Sequence, residues 1–214
     1  MAKYVGPLSA VDGGGHGSDR VTRMGADVVS QLNGQYYEQA SRARAYYGSS
    51  ASTGIALIVP ATTGGHPTLW NPSDSGRNIS IIRVELSYVS GNNAPTALEW
   101  ALTSNTGNTI ATGAPIATGT RVAPVSCMIG GASDAKGVWL PTTNTFTAAP
   151  VFTRALGLSL FTGIATTAVA PFELTREYNG DLGMSPGFAL SLCSQAATTT
   201  AVFQVTVVWE EIPI

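Results

Sequence analysis

The sequence predicts an all-β protein, an antiparallel jelly-roll-like β-sandwich with an extended N-terminal arm. Three observations predict it. Apolar residues recur with period two in several short segments, most clearly from Ala201 to Trp209, where Phe203, Val205, Val207 and Trp209 fall on one side and Gln204 and Thr206 on the other. Clusters of Gly, Pro, Asn, Asp and Ser separate these segments. No helical run with recognisable caps exceeds about three turns. Eight to ten short strands with turns between them describe an antiparallel sandwich or barrel, and the long connections favour a jelly roll over a simple meander.

The organisation expected along the 214 residues is an arm with a short hairpin over 1–50 and a sandwich domain over 51–214. Residues 1–19 are rich in Gly, with Gly13, Gly14, Gly15 and Gly17 around His16, and bury too little to fold alone. In the segment from Asp27 to Gln39, Asn33-Gly34 suits a type I′ turn between two short strands. A helix from Val28 to Arg44 competes, since Gln, Glu, Ala and Arg are good helix formers.

Gly54 to Val59 is a nearly continuous apolar run stopped by Pro60, and reads as a buried strand. Thr68-Leu-Trp follows, then the loop Asn71-Pro-Ser-Asp-Ser-Gly76. From Asn78 to Val89, Ile82, Val84, Leu86 and Tyr88 alternate with Arg83, Glu85 and Ser87. Ala97 to Thr103 repeats this, with Leu98, Trp100 and Leu102 inward. The middle of the chain, from Ser104 to Pro150, offers short apolar islands at Val122 to Met128 and Val138 to Leu140. Leu156 to Phe161 and Phe172 to Tyr178 are further strands, and Asn179-Gly180 marks a tight turn. Phe188, Leu190 and Leu192 alternate with Ala189, Ser191 and Cys193, and a hairpin to the final strand is expected.

Composition restricts the function. Charged residues are 11% of the chain, against about 25% in an average globular domain. A surface built from Thr, Ser, Asn, Gly and Ala suits coverage by copies of itself or by another protein. A formal charge of -2 gives no footprint for nucleic acid or anionic membrane. The first residues lack the apolar core of a signal peptide, no window approaches the about 20 apolar residues of a span, and synthesis in cytoplasm is expected. Cys127 and Cys193, 66 positions apart, read as buried free thiols.

No catalytic, cofactor-binding or metal-binding residue is assigned, no cofactor is expected, and the chain reads as no enzyme. His16 and His66 are the two histidines, both in Gly-rich loops, and neither has a second histidine at metal-binding spacing. Ser73-Asp74-Ser75 and Ser133-Asp134 lack a nucleophile elbow and read as turn caps. Gly13 to Gly17 lacks the Gly-Lys-Ser/Thr ending of a phosphate loop. Glu210 and Glu211 point to opposite strand faces, which suits a solvated strand end or a contact with an arginine of another subunit. Asn78-Ile-Ser80 matches the glycosylation pattern, which carries weight only in a secreted protein. Trp100 and Trp209 are in phase with core residues, whereas Trp70 and Trp139, at loop edges, could line a sugar-binding groove.

Several stretches together resemble a group of small tailed-bacteriophage virion proteins: Arg20-Val-Thr-Arg-Met-Gly, Gly34-Gln-Tyr-Tyr-Glu, Leu69-Trp-Asn-Pro-Ser-Asp-Ser-Gly-Arg-Asn, Tyr88-Val-Ser-Gly and Val208-Trp-Glu-Glu-Ile-Pro. The resemblance implies a jelly-roll-like subunit, a homotrimer attached to the major capsid protein of its virion as a decoration or cement protein; on its charge, neither nucleic acid nor membrane is expected as partner. The alternative is a tail or head-fibre module that binds host-surface glycan through Trp70 and Trp139.

Overall fold

A computed structural model of the chain describes residues 20–21, 27–28, 36–91, 96–104, 121–146, 148–159, 173–178, 180–196 and 201–214. Two compact units divide it, Met1–Glu38 and Gln39–Ile214. In the first, β1 (Arg20–Val21) pairs antiparallel with β2 (Asp27–Val28). The helix α1 (Tyr37–Ser41) stands where the second strand of a hairpin was expected. Glu, Gln and Ala favour the helical turn, and β2 pairs backwards with β1 instead. Asn33, Gly34 and residues 1–19 lie outside the described residues.

The second unit is an all-β sandwich. Its strands are β3 (Ala45–Ser49), β4 (Thr63–Gly65), β5 (Thr68–Asn71), β6 (Arg77–Ser90), β7 (Thr96–Ser104), β8 (Val125–Ser126) and β9 (Val138–Leu140). There follow β10 (Thr143–Thr145), β11 (Val151–Ser159), β12 (Glu173–Glu177), β13 (Gly183–Met184), β14 (Phe188–Ser194) and β15 (Val202–Pro213). One sheet has the order β12-β6-β15-β3-β8, with β13 also on β6; the other has the order β11-β7-β14-β5-β9. Every pairing is antiparallel. The chain passes from β3 to β5 to β6 to β7, changing sheet at each step, then from β11 to β12 to β14 to β15, again changing each time. That is the strand order of a jelly roll, two interleaved Greek keys. β3 falls within the first fifty residues, so this unit begins at Gln39, ahead of the boundary expected at 51.

The alternating pattern predicted for the last strand sets the core. Phe203, Val205, Val207 and Trp209 are all fully buried, and β15 sits between β6 and β3 in the centre of its sheet. Leu98, Trp100, Leu190 and Leu192 of the facing sheet pack in the same cluster. The hairpin expected between the Phe188 segment and the last strand is not formed: β14 pairs with β7 and β5, β15 with β6 and β3. Each strand turns one apolar face to the core, and that requirement is met equally well by opposing them across the core as by pairing them side by side. In β6 the alternation changes phase, because a register shift between Trp209↔Ile81 and Val208↔Arg83 leaves Ile82 unpaired on β15. Ile79 and Ile81 are thereby buried together with Val84 and Leu86.

The run from Gly54 to Val59 is not a ladder strand. Ile55 exchanges two backbone hydrogen bonds with Phe203, at 2.8 and 2.9 Å, Ile58 accepts one from Ser194, and Leu57 is fully buried. The run is apolar because it plugs the core rather than because it pairs. A second cluster, Trp70, Leu140, Phe146 and Ala189, occupies the other face of β5 and β14, whose neighbours Leu69 and Leu190 face the main core.

Gly48 of β3 has a steric reason. A Cβ placed there would lie 2.5 Å from Cγ of Trp139, since β3 and β9 lie over one another at one lateral edge of the sandwich. Gly48→Ala is expected to lower stability by about 1–3 kcal/mol through overpacking. Thermal denaturation checks this, and an unchanged melt would show that the indole has room to move.

Candidate functional site

The alternation of β15 continues past its apolar residues: after Trp209, the next inward position is Glu211, which is fully buried. A buried carboxylate must be neutralised and fully hydrogen-bonded. The backbone N–H groups of Lys136 (2.9 Å) and Gly137 (2.8 Å), the Trp209 indole N–H (3.2 Å) and the Arg77 guanidinium (3.0 Å) all donate to it. Gly137 is required by close approach, because a Cβ there would meet Ile79 at 2.9 Å and Glu211 at 3.1 Å. Arg77 reaches on to Asp134 at 2.8 Å, and Lys136 pairs with the same carboxylate at 2.8 Å. The Lys136 ammonium, then the Arg77 guanidinium, holds the Asp134 carboxyl below its ordinary value. Burial, and after it the Glu211 charge, pushes the Tyr46 phenol up, so Tyr46 remains a donor, to the Ala43 carbonyl. This constellation fastens the 134–137 segment to the ends of β6 and β15. The solvated strand end or intersubunit arginine expected for the glutamate pair is thus corrected at Glu211, whose arginine is Arg77 of its own chain.

A second polar cluster surrounds His66, which is fully buried rather than a solvated loop histidine. The Ala61 N–H donates to Nε2 at 3.3 Å, so the ring proton sits on Nδ1, 3.4 Å from Cys193 Sγ. A nucleophilic cysteine–histidine pair needs the imidazole lone pair turned to the thiol. Here the lone pair faces a backbone donor, and burial pushes the Cys193 thiol up to about 12. The arrangement does structural work. The Asn144 amide joins the His66, Leu140 and Thr142 carbonyls, and Thr68 joins Ser191 at 2.9 Å.

Burial lowers the His66 pKa below the ordinary 6.5. Between that lowered value and about 6.5, the unfolded chain binds a proton that the native ring refuses, so stability rises with pH across this window and is lost as pH falls through it. The melting temperature is expected to drop on acidification below pH about 6.5. His66→Gln is expected to flatten this dependence whatever its absolute effect; an equal slope in both proteins would assign the proton elsewhere.

The other candidates separate widely. Trp70 and Trp139 are fully buried, so neither lines a sugar-binding groove. Both carry large apolar rings into the interior, where the two faces of β5 and β9 are covered, and short flanking loops in the sequence conceal this. Ser75 caps its turn, its hydroxyl donating to the Arg77 carbonyl at 3.2 Å. Ser133 donates to the Pro124 carbonyl at 2.8 Å. Asn78 lies within β6, paired with Ile212. Both cysteines are free thiols, Cys193 buried and Cys127 half-buried. His16 and Gly13 to Gly17 lie outside the described residues. Among the described residues, no group of three or more His, Cys, Asp and Glu side chains could hold a metal ion. No helix among them is long and apolar enough to cross a membrane.

Accessible chemistry is concentrated on the outside of the sheets. A shallow groove of about 420 Å³ on the β3-β15-β6 face is lined by Tyr47, Arg83, Glu85, Cys127, Ile129 and Val208, among others. Arg83 and Glu85, two positions apart on β6, pair within its lining at 2.7 Å. Beside it the segment after Val122 exposes Val125, Met128 and Ile129, the last 92% exposed. In the sequence this stretch is an apolar island between Thr-, Ala- and Gly-rich segments. Its signal was the combination of aliphatic residues with Pro124, Gly130 and Gly131, which permits exposure rather than burial. No family model, curated protein or solved structure matches the chain.

Proposed function

We propose that the chain is a structural virion protein of a tailed bacteriophage, a homotrimeric subunit that decorates or cements the capsid shell by contacts with the major capsid protein. The observation that carries this reading is the pairing of a jelly-roll body, poor in charge, with aliphatic side chains held out to solvent along its edge. Val122, Val125, Met128 and Ile129 lie close together in the chain, and an exposed apolar patch of this kind suits a subunit that is covered on assembly. The two internal polar clusters support the same reading, since each is consumed in fastening loops to the sandwich. The stretches that resemble small tailed-phage virion proteins favour a phage particle as the setting.

The test is imaging of the assembled particle by cryo-electron microscopy, with the purified chain measured by sedimentation. A trimeric body that docks into density on the head supports the reading. A chain that sediments as a stable monomer and is missing from the head density would overturn it.

A further inference from the structure

The two lateral edges of the sandwich differ in chemistry. At one, β3 and β9 lie over one another, as the contact of Gly48 with Trp139 shows. The segment 121–129 runs along this edge: Val122 exchanges a backbone bridge with Trp139 of β9, and Val125 and Ser126 pair with β3 as β8. It presents Val122, Val125, Met128 and Ile129 to solvent. At the other edge β11 and β12 lie over one another, with Leu174 3.0 Å from where a Cβ of Gly157 would stand. Here Val151 is 68% exposed and Phe152 38% exposed.

Along β8 and β11, neither edge is suited to adding a strand. β8 has two residues, and β11 carries register shifts between Phe152 and Arg154 and between Ala155 and Gly157. Short edges and bulges deny a neighbour the regular row of backbone groups that strand addition needs, so a partner meets side chains. Charge differs as well. Exposed Arg44 and Arg121 lie at the first edge, Arg44 close enough to Glu210 for its charge to be felt there. At the second, Glu173 and Glu177 are exposed beside Arg176, while Arg154 is engaged by Asp181 at 2.5 Å.

We infer that these edges are the two halves of one interface between copies of this chain: the Ile129 edge of one copy packs on the Val151 and Phe152 edge of the next. Apolar residues on both edges supply the buried area, and basic against acidic flanks set the direction. Because the halves are different surfaces, the contact is head to tail and each copy uses both; with the trimer of the reading above, the rotation closes it as a ring rather than pairing two copies about a twofold axis. The inference rests on the self-assembly in the reading above but not on the virion.

The test is site-directed crosslinking of the full chain in a Cys127→Ser background. Ile129→Cys and Phe152→Cys proteins are purified separately, treated with a short bismaleimide alone and as a mixture, and sized on denaturing gels. Both positions are exposed, and circular dichroism checks that each protein is folded. Crosslinked dimers confined to the mixture, with a single closed species from the doubly substituted chain, are expected. Crosslinking of either protein with itself would establish a twofold contact and overturn the inference, as would absence of crosslinks in the mixture. Independently, Ile129→Asp and Phe152→Asp should each raise the concentration needed for assembly about tenfold or more by light scattering, and equal assembly in both would also overturn it. A ring that forms in solution but is absent from the particle leaves this inference standing and removes the virion reading. Head density formed by copies that meet elsewhere does the reverse.

Discussion

Trp209→Ala is expected to destabilise the protein by about 3–5 kcal/mol, the range for removing a large aromatic side chain from a packed core. In a chain of this size that corresponds to a fall in melting temperature of roughly 10 °C. The indole is fully buried in the central strand of its sheet, opposite Tyr46 of β3 on one side and Ile81 of β6 on the other. Its ring centroid lies 6.3 Å from that of Tyr46. Alanine would remove this packing and also the N–H that donates to Glu211. Trp209→Phe separates the two effects. It keeps most of the apolar ring and loses the donor, and is expected to cost about 1–2 kcal/mol. Thermal and urea denaturation of the three proteins check the ranking; equal stability of Trp209→Ala and the parent would contradict the central place given to this strand.

Arg77→Ala is expected to cost about 3 kcal/mol, the lower end of the range for stripping a buried charge of its partner. The lower end applies because Glu211 keeps its donors from Lys136, Gly137 and Trp209 when the guanidinium is gone. The same substitution releases Asp134, whose exposed pairing with Arg77 and Lys136 adds little of its own. A double-mutant cycle with Glu211→Leu isolates the pair. Once Glu211 is leucine no buried anion remains to be stranded, so Arg77→Ala in that background should cost at least about 1 kcal/mol less than in the parent. Additive effects would mean that Glu211 is held by the Lys136, Gly137 and Trp209 donors alone, with Arg77 acting only on the surface.

How far the molecule could be read in one dimension differs from element to element. The strands β6, β7 and β15 were legible because period-two alternation is written into the greater part of each. The short β8 and β9 showed as apolar islands, and the turn at Ser73 to Gly76 was legible from its turn residues. β14 was legible as a strand but not in its pairing, since alternation states that a face is buried and not which neighbour covers it. Trp70 and Trp139 were misplaced for a related reason: their flanking Gly and Pro residues describe the backbone, while their burial depends on strands and loops from elsewhere in the chain. Glu211 lay one step beyond the last apolar residue of a pattern that continued through it. Its inward position was readable, but its partners at Arg77, Lys136 and Gly137 were not.

What the amino acids determined by themselves is the class: short alternating strands, interrupted by turn formers and poor in charge, bury their apolar faces most completely as two opposed antiparallel layers. What tertiary structure alone decided is the sheet to which each strand belongs, the internal use of His66, Cys193, Arg77 and Glu211, and the exposure of Ile129 and Phe152 on opposite edges. The physical reason is that alternation is a local property carried by bonded neighbours. Sheet membership, charge neutralisation and edge position depend on contacts between residues far apart along the chain, which acquire a free energy only once the layers have closed.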